Sequence, residues 1–246
     1  MNLSIIGSNS LGNAYALHNE NECLLIECGM PRKMVFNAID WKISTIVGCL
    51  LTHDHGDHTK HIKEYLDRGI DIYSSELTHK EIGTQNHHRS KFIKSGIEFK
   101  IGNFTILPFN VQHDAADPLG FFIHHNECGN VLFVTDSYYV SYTFKGLNNI
   151  IVEANYSNAI IKAKQDAGEL PKFLKDRVIQ SHMSIETCSQ LLKANDITKV
   201  NNIVLIHLSD RNSNAIEFKQ TIENETGKSV HIANRGMKLL FNKTNF

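Results

Sequence analysis

Short apolar runs alternate with amphipathic stretches along most of the chain. Runs of Ile, Val, Leu and Phe bounded by polar residues are typical of strands, and they predict strands at Leu3–Gly7, Cys23–Cys28, Ile46–Leu51, Phe104–Leu107, Gly120–His124, Val131–Thr135, Ile150–Glu153, Ile203–His207 and Met237–Phe241. Apolar residues at helical spacing predict helices near Pro31–Ile39, His58–Asp67, Glu76–Gly83, Asn158–Ala167, Ser184–Ala194 and Asn214–Glu225. Strands and helices that alternate in this way, in places with two strands between helices, indicate an α/β sandwich.

The composition agrees with one globular unit. The chain has 246 residues, of which 41% are hydrophobic and 21% charged, so it can bury a sizeable core. No Gly/Ser/Pro-rich linker or internal repeat interrupts it, and we expect a single domain over residues 1–246. The formal net charge of −1 does not indicate a general polyanion-binding surface, although a local patch or a metal pair can still hold a phosphate.

The N-terminal segment and the cysteines bear on location. Met1–Gly7 lacks the basic segment and apolar run of a signal peptide, and no apolar stretch approaches the roughly 20 residues that span a bilayer. The five cysteines are an odd number without a Cys-x-x-Cys pair, and several lie in apolar runs such as Ile46–Leu51. We therefore expect a cytoplasmic protein with buried free thiols and no membrane association.

The segment Thr52–His58 carries the densest group of chemically active side chains. It follows an apolar strand and opens a helical pattern, which is where α/β proteins place their chemistry. His53 and His55 alternate and can turn two imidazoles toward one ion, whereas Asp57 and His58 can serve a second ion beside it. Imidazole and carboxylate ligands suit Zn, Mn or Fe. So dense a cluster after apolar residues disfavours the other interpretation, a solvated His-rich loop.

This segment resembles the His-x-His-x-Asp-His signature of the metallo-β-lactamase superfamily. The resemblance implies a four-layer αββα sandwich with two divalent metal ions, Zn or Mn, at one edge. It also implies further ligands downstream, and candidates follow apolar strands in the expected order, at His113, Asp136 and His207. By this resemblance one metal is bound by His53, His55 and His113, the other by Asp57, His58 and His207, and Asp136 bridges them.

The bridging position distinguishes branches of the superfamily. Asp136 rather than Cys resembles the dinuclear hydrolases of phosphodiesters and thioesters, and argues against a secreted β-lactam hydrolase. Val152–Tyr156 is similar to the Glu-Ala-Thr element of tRNA 3′-processing endonucleases, and Ser181–Ser184 to their Gly-His-Ser-Thr element. In that group the Glu orients the His, which protonates the leaving oxygen, so the resemblance assigns these roles to Glu153 and His182.

Similarity over nearly the whole chain points to one group. Gly7–Ala14 and His113–Phe121 resemble the Gly-Ser-x-Ser-x-Gly-Asn and His-Asp-Ala-x-x-Pro-x-Gly-Tyr segments of the WalJ (YycJ) proteins, DNA exonucleases that work from a 5′ end. Glu27 stands where that group has Asp, and Asn155–Tyr156 replaces an Asn-His pair; both changes leave the metal ligands intact. The Gly-rich arm that grips tRNA in the processing endonucleases is not visible.

We therefore predict a dinuclear metal-dependent phosphodiesterase acting on nucleic acid, most directly a DNA nuclease of the 5′-exonuclease type. A hydroxide held between the metals and against Asp57 would attack the phosphate, and His182, steadied by Glu153, would protonate the leaving oxygen.

Candidate substrate contacts lie outside the metal ligands. Ser8, Ser10 and Asn13, in a Gly-rich turn, can offer donors to a flanking phosphate, the alternative being a tight β-turn. The basic segments His87–Lys91 and Lys172–Arg177 are candidates for contacts with the nucleic-acid backbone, the alternative being solvated charged surface.

Other functions stay open from the sequence. A hydrolase of a small molecule (a cyclic phosphodiester, lactone or thioester) and a tRNA 3′-processing-type endoribonuclease use the same ligands. A binding module with a decayed site is disfavoured because all seven ligand positions are filled.

Overall fold

The computed structural model describes residues 1–244, and within them the strands form two seven-stranded sheets. The strands are β1 (Asn2–Gly7), β2 (Ala14–His18), β3 (Cys23–Ile26), β4 (Ile46–Leu50), β5 (Ile72–Ser74), β6 (Ser90–Phe92), β7 (Phe99–Ile101), β8 (Phe104–Asn110), β9 (Leu119–His125), β10 (Gly129–Val134), β11 (Leu147–Glu153), β12 (Asn202–Ile206), β13 (Ser229–Ile232) and β14 (Lys238–Leu240). The first sheet has the order β14-β1-β2-β3-β4-β5-β6, and the second has the order β13-β12-β11-β10-β9-β8-β7.

Helices cover the outer faces of the two sheets. They are α1 (Arg32–Ala38), α2 (Gly56–Thr59), α3 (Ile62–Leu66), α4 (Glu76–Glu81), α5 (Asn158–Asp166), α6 (Lys172–Ser181), α7 (Ile185–Lys193) and α8 (Ala215–Thr226). Ser184 caps α7 as the sequence predicts, because its hydroxyl accepts a hydrogen bond from the Thr187 amide. No helix within residues 1–244 combines the length and apolar character needed to cross a bilayer.

Buried apolar side chains form three core clusters, one between the sheets and one on the outer face of each sheet. The largest core lies between the sheets, where the Tyr15 and Phe133 rings meet edge-on with centroids 5.4 Å apart. A second core packs α7 and α8 on the outer face of the second sheet, and a third packs α1 and α3 on the first. The expected four-layer αββα sandwich is therefore confirmed, and the five cysteines are buried and free, as expected.

The strand directions bring several loops to one edge of the sandwich. Strands β10, β11 and β12 are parallel, and β8 runs the same way because β9 is antiparallel to both β8 and β10. The residues that follow these four strands therefore emerge together. In the first sheet β4 leads into the segment Thr52–His58 at the same edge, as the contacts described below show.

The structure adds to the predicted elements. All nine predicted strands are present with shifted ends, but five short strands, β2, β5, β6, β7 and β13, were not predicted. The helix predicted over His58–Asp67 is two helices, α2 and α3. The basic segment Lys172–Arg177 begins helix α6, which was also not predicted.

Candidate metal centre

The predicted metal ligands converge at one edge of the sandwich. His113, Asp136 and His207 follow strands of the second sheet, whereas the histidines of the Thr52–His58 segment follow β4 of the first. The predicted ligands form two groups whose possible ligand atoms all lie within 4.8 Å of one another: His53, His55, His113 and Asp136 in one, and Asp57, His58, Asp136 and His207 in the other. A third group that meets the same condition joins Asp136 and His207 to Glu153 and His182. The first two groups are the ligand sets that the resemblance implies, and they share Asp136.

Distances within each group suit side chains that surround an ion. In the first group the Nε2 atoms of His53 and His113 each lie 3.8 Å from Oδ2 of Asp136. In the second group His58 Nε2 lies 3.4 Å from the same oxygen, and Asp57 Oδ2 lies 3.3 Å from His58 Nε2 and 3.3 Å from His207 Nε2. One carboxylate oxygen of Asp136 thus faces both groups.

Hydrogen bonding by His53 shows that this donor set fits a cation. Its Nδ1 is 2.8 Å from the Thr52 hydroxyl, while its buried Nε2 has no hydrogen-bond partner among the described residues. Buried polar nitrogens are almost always satisfied, so a free lone pair aimed at a carboxylate-lined space is characteristic of a metal ligand. The residues present therefore fit a divalent metal ion.

Charge is concentrated at the shared ligand. Burial opposes ionisation of Asp136, but the neighbouring His207 and His58 outweigh it and hold the pKa of that carboxyl well below its usual range. Burial likewise opposes protonation of His53 and, with His58, lowers its pKa well below the usual value. An ionised carboxylate and a neutral imidazole are the forms that bind a metal. Burial opposes protonation of His58 and His207, but the carboxylates outweigh it and raise the pKa of both, so a metal bound there would displace protons from these two rings.

A histidine held by a carboxylate stands beside the second group. His182 Nδ1 is 2.7 Å from Oε1 of the fully buried Glu153, which also accepts hydrogen bonds from the Ser137 and Met183 amides. Burial lowers the pKa of His182, but Glu153 outweighs it and holds that pKa above the usual value. The ring of His182 stacks on that of His207, with centroids 5.3 Å apart. The arrangement favours the protonated form of an imidazole at the rim of the metal cluster.

Two buried residues support the ligands from behind. Asn13 Nδ2 donates to Asp57 Oδ2 at 2.9 Å and lies 3.1 Å from His58 Nε2. Glu27 Oε2 lies 3.4 Å from Nδ1 of His58, on the side of the ring away from Asp136. A carboxylate or amide in this position orients a ligand and tunes its basicity. From the sequence, Glu27 stands out only because it replaces the Asp of the WalJ group. Its contact with His58 could not be predicted.

The backbone around the centre adopts uncommon conformations. Glu27, Asp136 and His207 have positive φ angles of 70°, 45° and 53°. Such angles are uncommon outside glycine and cluster at functional sites, where the surrounding structure enforces them. Gly29 is required for a different reason, since a Cβ atom there would lie 1.7 Å from the Asp57 carbonyl oxygen. The positive φ angles and the glycine therefore allow the loops that carry the ligands to approach one another closely.

The predicted substrate residues differ in accessibility. Ser10 is exposed and lines a cleft of about 140 Å³ together with ligands of both groups. The Ser8 hydroxyl accepts hydrogen bonds from Tyr15 and from the His207 amide, and so braces a ligand loop. Asn13 is fully buried, so its side chain supports Asp57 and is not exposed to a phosphate in solution.

The two basic segments, His87–Lys91 and Lys172–Arg177, lie at different distances from the metal centre. Arg177 on α6 lines the same cleft and forms no ion pair with the described residues. Arg89 and Lys91 instead pair with Asp71, at 2.9 Å and 3.9 Å, near the start of β6. Because β6 runs parallel to β4 through β5, this end of the strand lies opposite the metal edge. Of the two basic segments, Lys172–Arg177 therefore reaches the metal centre, through Arg177, and His87–Lys91 does not.

Comparisons with known proteins agree with this geometry. The family model for the β-lactamase superfamily domain matches residues 28–208. The exodeoxyribonuclease YycJ of Bacillus anthracis is 28% identical over 225 residues, covering 85% of this chain and 83% of that protein. The exodeoxyribonuclease WalJ of Streptococcus pneumoniae serotype 2 is 26% identical over 226 residues, covering 85% and 82%.

A solved structure extends the likeness of fold to almost the full length. The metallo-β-lactamase fold protein YhfI from Bacillus subtilis superposes with a TM-score of 0.72 at 15% identity, covering 97% of this chain and 98% of that one. The predicted resemblance and fold are thereby confirmed. Because the family model spans more than half of the chain, the protein belongs to the metallo-β-lactamase superfamily and is a hydrolase of that superfamily.

Proposed function

We propose that this hydrolase is a dinuclear metal-dependent phosphodiesterase that cleaves nucleic acid, DNA in the first place, from a 5′ end. One observation carries the proposal: two ligand groups share Asp136, and a histidine held by Glu153 stands beside them. The first group would hold one Zn or Mn ion and the second group the other. Bound there, two such ions would activate water and neutralise charge on a phosphate.

The chain's own residues supply what remains of the reaction. Asp57 is partly exposed at the cleft, between His58 and His207, and is placed to orient the attacking water. A departing alkoxide needs a proton, and His182 holds one on the imidazole that faces the cleft. Glu153 fixes the ring through this hydrogen bond and, against the effect of burial, its charge raises the pKa of His182, which favours the proton-carrying form.

Contacts around the cleft suit a phosphate chain. Arg177 and Ser10 offer a free guanidinium and a hydroxyl beside the ligands, and Lys60 lines the adjoining surface next to Asp57. Arginine and lysine near a cleavage site commonly position the backbone of a nucleic acid. The relatives named exodeoxyribonuclease support DNA as the substrate.

A panel of labelled substrates tests the proposal. The enzyme, loaded with Mn or with Zn, is offered single- and double-stranded DNA and RNA carrying either a 5′ or a 3′ label. We expect mononucleotides from the 5′ end of DNA, no product after chelation, and a steep loss of activity with added salt. Hydrolysis of a lactone, thioester or cyclic phosphodiester without any cleavage of these oligonucleotides would refute it, and cleavage of tRNA precursors alone would assign the site to RNA processing.

A further inference from the structure

A groove lies between the segment that follows Asp136 and helix α7. Its volume is about 250 Å³. One wall is formed by residues 139–143 and the other by Thr187, Gln190 and Leu191 of α7 together with Ala194, which follows the helix. Neither wall contains a metal ligand or a residue used above, so the groove is separate from the metal cleft.

Hydrogen bonds tie this groove to the proton donor. The Ser137 amide donates to Glu153 Oε2 at 3.1 Å, and the Ser137 hydroxyl donates to the Tyr139 carbonyl at 2.8 Å. On the opposite wall, α7 begins at Ile185, three residues after His182. Both walls therefore start beside the Glu153–His182 pair and lead away from it.

The chemistry of the walls indicates what the groove can hold. Among the lining residues of the described chain none carries a charge, so the groove offers no charged partner for a phosphate. Tyr139 and Tyr142 are 54% and 43% exposed, and the Tyr142 ring is braced edge-on by Phe109 at 5.8 Å. Exposed aromatic rings beside a nucleic-acid site stack on bases, and Gln190 and Ser141 can hydrogen-bond to a base edge.

We infer that this groove binds an unpaired nucleobase of the nucleoside whose oxygen His182 protonates. The inference rests on the proposed function and adds the substrate class: the strand must be single at the departing nucleoside. The volume is below the roughly 300 Å³ at which pockets for drug-sized ligands begin, which suits one ring system and excludes a base pair. The phosphate stays in the cleft with Arg177 while the base occupies the uncharged groove.

Oligonucleotides with one abasic nucleotide on either side of the cleaved bond test this inference by kinetics. On the departing side, loss of the base should raise the wild-type KM about fivefold or more, the usual effect of one stacked base, with little change in kcat. Tyr139→Ala should raise KM for the intact substrate similarly and show no further rise with the abasic one. Tyr139→Phe, which keeps the ring, should still show a rise in KM when the base is lost.

Binding without turnover gives a second readout. In the His182→Ala background, 2-aminopurine at the departing position should be quenched on binding, and Tyr139→Ala should remove the quenching. Trp41→Ala is the matched control, because Trp41 is also 54% exposed but precedes β4 at the end opposite the metal edge. Two results would overturn the inference. One is that wild type has the same KM for the abasic substrate as for the intact one, and the other is that Tyr139→Ala leaves the quenching in place. The proposed function fails separately, if wild type cleaves no oligonucleotide at all.

Discussion

Glu153 Oε1 lies 2.7 Å from His182 Nδ1 and 3.1 Å from His207 Nδ1, so one buried carboxylate oxygen contacts both the proposed proton donor and a metal ligand. Oε2 of the same carboxylate accepts hydrogen bonds from the backbone amides of Ser137 and Met183, and these bonds fix the plane of the carboxylate. The relative position of acid and metal cluster is therefore set by one side chain. This coupling makes His182, rather than Glu153, the residue whose removal isolates proton donation from metal binding.

His182→Ala should lower kcat by about 10²–10⁴-fold, the usual contribution of a positioned general acid, and leave the metal content unchanged. His182 belongs to neither of the two proposed ligand sets, but its imidazole also lies within 4.8 Å of ligand atoms of Asp136 and His207, so the metal content tests whether it binds an ion. Turnover on an oligonucleotide and metal per chain by mass spectrometry are the measurements. His88→Ala is the control, because His88 is exposed and stacks only on His87. Loss of metal, or full turnover, would show that His182 has another role.

Asp57→Asn should weaken the binding of one of the two ions and abolish most of the activity. The carboxylate faces His58 and His207, and burial opposes its ionisation, but hydrogen bonds from these two histidines outweigh burial and hold its pKa far below the usual range. The amide keeps the shape but not the charge. Metal titration should show one tight and one weakened site, whereas the exposed Asp67→Asn should bind as wild type. Two unchanged sites would remove Asp57 from the ligand set.

Glu27 tests whether a carboxylate that contacts a metal ligand, here His58, strengthens metal binding. Its carboxylate lies 3.4 Å from His58 Nδ1, and loss of such a partner typically weakens metal binding about 10–100-fold. Glu27→Gln should therefore weaken the ion held by His58 and Asp57 and spare the ion held by His53. Glu27→Asp, the residue usual in the WalJ group, should restore affinity, since Asp also tolerates the positive φ at this position. Equal weakening of both ions would indicate a general loss of structure instead.

The proposed ligand set could be named from the sequence because Thr52–His58 resembles a known signature. That resemblance implies further donors downstream, and His113, Asp136 and His207 follow apolar strands in the order it requires. The support from Asn13 could not be predicted, because it depends on how the β1–β2 turn packs against α2, 44 residues away. Helix α6 was not predicted because no buried apolar stripe marks the segment: Phe173 is 70% exposed, Leu174 is 39% exposed, and Val178 and Ile179 are partly exposed.

Stability in acid should depend on a buried carboxylate far from the metal edge. Burial raises the pKa of Glu22, but hydrogen bonds from Asn103 and His125 outweigh it and leave that pKa lowered. The stabilisation is therefore present above the unfolded pKa and lost as the pH falls through the lower folded value. In urea titrations Glu22→Gln should be less stable than wild type near pH 7, with the gap closing toward pH 3. A gap independent of pH would mean that shape rather than charge matters.

Removing the metals should lower the melting temperature without unfolding the protein. Ions that bind only the folded chain stabilise it by about 2.7 kcal/mol at a free concentration 100 times Kd, which for a chain of this size corresponds to roughly 5–10 °C per site. The rise in melting temperature on metal addition should come in two steps in wild type. In Asp57→Asn the second step should need more metal, because only the ion held by His53, His55 and His113 keeps its full affinity. Differential scanning calorimetry during stepwise metal addition measures both. A single step in wild type would mean that the Asp136-linked groups bind one ion, and that the chemistry proposed for a metal pair has to be carried by one.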